Sequence, residues 1–179
     1  MKKVFFGIIS FFLLVTVSGC GYSVRTLSPY LSSKDTIYVA PIENTVDYSS
    51  ERRQKSLYIP LMEVKVSNAV TNRFIFDGNL KIAKEGNADL ILKGKLLNYQ
   101  RDVLRRDDND DAEEYRIRIT VSLVLFDSVE EENVWVEPNF SGDATYFLTG
   151  SNAKSEGAAI DEAIKDLAKR IVDRTIEDW

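Results

Sequence analysis

From Tyr115 to Phe126 the chain alternates strictly, with Tyr115, Ile117, Ile119, Val121, Leu123 and Leu125 on one side and Arg116, Arg118, Thr120 and Ser122 on the other. Successive side chains of a strand point to opposite faces, so this period of two describes a strand buried on one face and wet on the other. Such a strand needs neighbours of its own kind and a cover for its apolar side.

Ala88 to Arg101 reads as a second long strand, with Leu90, Leu92 and Leu96 on one face, Lys93 and Lys95 on the other, and Gly94 marking a bulge or a close packing contact. A strand from about Asn133 to Phe147, interrupted near Pro138, completes a meander. The charge-dense stretch Asp102 to Glu114 reads as a solvated hairpin loop. Thr36-Ile37-Tyr38-Val39-Ala40-Pro41 is β-branched and aromatic and is stopped by proline, giving a short first strand; Leu80-Lys81-Ile82 suits a brief edge strand. Asn44 to Lys55 is polar and reads as a loop. The cover comes from two helices. From about Pro60 to Asp77-Gly78, Leu61, Val64, Ala69, Val70 and Phe74 recur near helical spacing. After the turn and cap residues of Gly150 to Ser155, Ile160, Ile164, Leu167, Ile171 and Thr175 recur at three and four, predicting an amphipathic helix that runs to Trp179. The expected fold class is α+β: a mostly antiparallel or mixed sheet of about four strands with two helices packed on one face.

The N-terminus carries a different kind of information. Lys2 and Lys3 precede an uncharged apolar run from Val4 to Val17, which ends in Ser18-Gly19-Cys20. That is the layout of a secretory signal, and the run is shorter than the roughly 20 residues a spanning helix needs. Val17-Ser18-Gly19-Cys20 resembles a bacterial lipobox, in which the cysteine thiol takes a diacylglyceryl group and the preceding peptide is removed. Residues 1–19 are therefore expected to be a lipoprotein signal peptide, 20–35 a lipidated N-terminus and tether, and 36–179 a single periplasmic α+β domain. Gly21 after the lipid-bearing Cys20 points to outer-membrane delivery by the bacterial sorting rules this resemblance brings. Loss of the two signal-peptide lysines takes the formal net charge from −5 to −7. An acidic body of this kind lacks the general basic footprint that nucleic-acid binding requires, so no nucleic-acid partner is expected.

There is no histidine, and the one cysteine is Cys20. Ser-His-Asp and Cys-His catalysis and the usual zinc sites are excluded for the mature body, and no glycine-rich nucleotide loop is present. The run Asp107-Asp108-Asn109-Asp110-Asp111 lacks the mid-loop glycine and the closing acid of an EF-hand and reads as solvated loop, so no metal site is assigned. A carboxylate pair such as Asp107 with Glu113 comes with no pocket signature. The chain is read as a non-enzyme without a cofactor beyond the covalent lipid at Cys20. Lys93, Lys95, Arg116 and Arg118 belong to two strands that should pair, on the face away from the apolar stripe. They either keep the open face wet or form an anion site, with the arginines suited to bidentate phosphate contacts.

Cys20-Gly21-Tyr22, Ile37 to Asn44 (IYVAPIEN), Ala88 to Leu96 (ADLILKGKL) and Ala163 to Trp179, with its Leu167-Ala168-Lys169-Arg170-Ile171-Val172, together resemble the LptE family of outer-membrane lipoproteins. The resemblance implies a sheet with two helices on one face, seated in the lumen of an LptD-type β-barrel. It implies a role in assembling and plugging that barrel and in inserting lipopolysaccharide at the cell surface, from the periplasmic side of the outer membrane. It further implies lipopolysaccharide binding through basic residues, for which Lys93, Lys95, Arg116 and Arg118 are the candidates. An auxiliary lipoprotein of another envelope transport or secretion machine is the alternative.

Overall fold

The structure is a computed structural model and describes residues 29–46 and 59–177. The expected signal peptide, the expected lipidation at Cys20, the tether up to residue 28 and most of the polar stretch after Asn44 lie outside the described residues. The last helix ends at Ile176, where Glu177 is already extended, short of the expected Trp179. In chain order, a 3-10 turn (Pro29–Ser33) leads into strands β1 (Thr36–Val39) and β2 (Glu43–Asn44), helix α1 (Met62–Asp77) and β3 (Lys81–Ile82). Three long strands follow, β4 (Leu90–Arg106), β5 (Ala112–Asp127) and β6 (Glu132–Phe147), and then helix α2 (Glu156–Ile176).

The three long strands form the expected antiparallel meander, with β5 in the middle. β1 and β2 both run parallel to β4, and β3 runs parallel to β1 at the sheet edge. The sheet is therefore mixed and has six strands, more than the four expected. Of the two-residue strands, β3 falls in the expected edge segment Leu80-Lys81-Ile82, while β2 is additional and too short to show any period. The larger correction concerns Asp102 to Glu114, which is not a loop. β4 continues to Arg106 and β5 starts at Ala112, leaving only Asp107 to Asp111 as the turn. Both faces of this arm are solvated, so neither a period of two nor an apolar run marks it. Asp107 builds the turn by accepting from the amides of Asn109 and Asp111, both at 2.9 Å. Gly94 proves to be a packing contact: a Cβ there would stand 3.2 Å from side-chain atoms of Ile42 and Leu123. The register shift in β4 comes later, between Leu96 and Asn98.

On β5, Ile117, Ile119, Val121, Leu123 and Leu125 are all buried, facing the helices as the alternation predicts. α1 meets the sheet through Met62, Val66, Val70 and Phe74, a strict row at spacing four. The expected Leu61 and Val64 are instead exposed, because turning the row at 62 inward turns them out. Gly78, at a left-handed φ of 77°, ends the helix and donates its amide to the Phe74 carbonyl. α2 starts at Ser155, whose hydroxyl oxygen accepts from the amide of Ala158. Its buried stripe is wide and includes Ala163, Ala168 and Val172 as well as the predicted positions, so it covers the sheet and touches α1 together. α2 lies so close over β6 that a Cβ on Gly142 would stand 2.5 Å from Leu167 Cα. Ion pairs Lys65–Asp161 and Arg73–Asp173 show that α1 and α2 run side by side in one direction. The result is an α+β fold with both helices on one face of a mixed sheet.

Candidate functional site

The face of the sheet away from the helices carries all four basic residues singled out from the pattern. Cross-strand rows define it: Tyr38, Ile91 and Phe126; Lys93, Val124 and Val136; Lys95 and Ser122; Gln100, Arg118 and Asp143; Asp102, Arg116 and Thr145. One half is therefore apolar with a cationic border, and the other half is polar.

The structure does not bring the four cations together. Lys93 stands opposite Val124, eight residues along β5 from Arg116, a separation of roughly 26 Å at strand rise. They form two pairs. Lys93 places its ammonium over the Phe126 ring at 5.2 Å, and Lys95 pairs with Glu43 at 3.5 Å. These two border a small cleft of about 240 Å³, lined also by Ala40, Pro41, Ser122 and Val124. The cleft exists because the chain leaves β4 between β1 and β2: Ala40 still donates to Leu92, Thr45 donates to Leu96, and Pro41 has no amide to give. Arg118 lies 3.8 Å from Asp143, while Arg116 stands opposite Asp102. The Nε atoms of both arginines are buried without an acceptor. Arginine and acid thus alternate diagonally across the second pair, which lowers its net charge. Lys93 and Lys95, with one acid between them, form the more cationic pair.

Strand periodicity does not single out the acids that partner the cations: Asp102 lies in a stretch with no alternation, and Glu43 sits on a two-residue strand. The available signal was charge pairing across the meander: once Gln100 faces Arg118, Asp102 must face Arg116. Among the described residues no three acidic or sulfur side chains gather as a metal site. No described helix is long and apolar enough to cross a membrane.

A family model described as lipopolysaccharide-assembly, LptE, matches residues 35–175. The chain belongs to the LptE family. Among solved structures, the LptE-family chain is similar to a Xanthomonas campestris protein of family DUF330, with 14% identity and a TM-score of 0.58, over 80% of this chain and 87% of that one. It is also similar to a hypothetical protein of Chlamydia trachomatis, with 16% identity and a TM-score of 0.53, over 79% of this chain and 95% of that one. At these identities the likeness is one of fold. No curated protein matches this LptE-family chain in sequence. Membership supports a role in lipopolysaccharide assembly in general.

Proposed function

We propose that this chain is a non-enzymatic lipoprotein of the outer membrane, anchored on the periplasmic side through Cys20, that helps assemble and plug an LptD-type β-barrel and assists insertion of lipopolysaccharide at the cell surface. The observation that carries this reading is the family match over residues 35–175, which spans the sheet and nearly all of both helices. The signal-like N-terminus supports the anchor. Purifying the native lipoprotein from membranes in mild detergent tests the partner: a 1:1 complex with an outer-membrane barrel is expected, together with loss of surface lipopolysaccharide on depletion. Recovery with inner-membrane or secretion components instead would replace this reading with that of an auxiliary lipoprotein.

Lys93, Lys95, Arg116 and Arg118 are the proposed contacts to lipopolysaccharide, with Lys93 and Lys95 at the cleft ahead of the arginine pair, whose acids compete with any added anion. Reversing all four to Glu should abolish lipopolysaccharide capture while the circular dichroism spectrum stays that of the parent. Unchanged capture would leave them as residues that keep the sheet wet.

A further inference from the structure

The opposite side of the molecule carries a second concavity. A groove of about 760 Å³ runs between α1 and α2, lined by Ala69, Asn72, Arg73 and Phe76 from α1 and by Lys165, Asp166, Ala168 and Lys169 from α2. On α1 these positions have the i, i+3, i+4, i+7 spacing of a single stripe. Ala69 and Ala168, with their small side chains, keep its floor low. Phe76 stands at one end 80% exposed, which is unusual for a phenylalanine on an otherwise ordered helix.

The walls are cationic although the protein as a whole is acidic. Lys165 has no ion-pair partner among the described residues. Arg73 stacks its guanidinium on Phe76 at 5.3 Å, and its Nε is buried without an acceptor. Lys169 and Arg73 share the single carboxylate of Asp173. Asp166, the one acid of the lining, is turned to the sheet, where it accepts from the Asp143 amide and lies 3.9 Å from Arg170. The groove therefore combines an apolar floor with unbalanced positive walls, and it is complementary to something apolar in the middle and acidic at its flanks.

We propose that this groove is the docking site for an amphipathic helix of another protein, with an apolar stripe bordered by Asp or Glu. A helix brings its own apolar ridge into the space between two neighbouring helices, and small floor residues such as Ala69 and Ala168 let it approach closely. A lone acyl chain fits less well, since the groove is open and would leave one side of the chain wet. Arg73 and Lys165 stand on opposite walls, where each meets the acids on one flank of the incoming helix, and Phe76 closes one end.

Site-specific photocrosslinking in living cells tests this with the full-length protein. A benzophenone amino acid is placed at Phe76 or Asn72, and at Asn109 on the hairpin turn as an exposed control. The expected result is an adduct at the groove positions only, whose partner peptide maps by mass spectrometry to an acid-flanked amphipathic helix. Lys165→Glu should lower the adduct yield from position 76 at least tenfold, and Lys165→Arg should preserve it. Groove adducts no stronger than those at Asn109, adducts to lipid, to a barrel strand or to a second copy of this chain, or a yield indifferent to Lys165→Glu would each overturn the proposal. An adduct to a barrel strand would overturn this inference while supporting the proposed function, and the other outcomes leave barrel copurification open, so the two can fail separately.

Discussion

Asp127 has no exposed surface, yet it stays charged. Its carboxylate meets the Lys34 ammonium at 2.6 Å, the Tyr30 hydroxyl, and the amides of Val129 and Glu130 at 2.8 and 3.1 Å. Burial by itself would raise its pKa, but Lys34, Tyr30 and the two amides outweigh burial and hold it at about 2, below the ordinary 3.8. Because the folded value lies below the unfolded one, the stability it contributes is complete above about pH 4 and is lost as pH falls towards 2. The size is about 2 kcal/mol. Asp127→Asn should therefore cost about 3 kcal/mol at pH 7, where Lys34 is left buried without its partner, and the gap to the parent should narrow markedly by pH 2 in urea titrations. A gap independent of pH would mean that the carboxylate charge is not what matters. Two glycines give a sharper geometric test. Gly142→Ala drives a Cβ into the Leu167 backbone, which cannot yield without moving α2, whereas Gly94→Ala meets only side-chain atoms of Ile42 and Leu123, at 3.2 Å. The first should lower the urea midpoint by the equivalent of about 2 kcal/mol or more, and the second by clearly less. The close approach at Gly142 left no mark in the sequence, because nothing local says which backbone will lie above a glycine.

Among the elements, β5 and α2 were legible because each buries one face and exposes the other along its whole length. For α1 the span was legible but the inward row was not: Leu61, Val64 and Ala69 compete with Met62, Val66, Val70 and Phe74 for the same helix, and packing on the sheet decides between them. The arm of β4 and β5 beyond Arg101 has no such signal, for the opposite reason. Its residues are held by strand pairing and by contacts between paired strands, such as Arg105 with Glu114 and Phe147, which leave no pattern in a single strand. This arm has an expected signature in amide hydrogen exchange. β5 is bonded on both sides over most of its length, whereas β1 and β2 stop pairing with β4 by Leu96. Amides of Asn98 to Arg106 that point away from β5 should exchange orders of magnitude faster than those of Ile117 to Leu125. Uniform protection across β4 would show that its outer edge is covered.

For the whole molecule, the α+β class and the layering of helices against a sheet were legible in the sequence, and so was the face of the sheet on which the four cations lie. The sequence did not convey their spacing, which depends on register, nor the groove between the helices, which depends on how two separate stripes meet. The proposed anchor has a direct check: Cys20→Ala should leave the protein unprocessed and free of membranes in fractionated cells, and normal processing with membrane retention would contradict it. The turn Pro29–Ser33 gives that anchor a mechanical meaning. Tyr30 and Lys34 grip Asp127, the last residue of the middle strand of the meander. Traction applied ahead of residue 29 therefore meets two holds at once, the covalent run into β1 and the side-chain clamp on the end of β5, so the load is divided between two strands of one sheet.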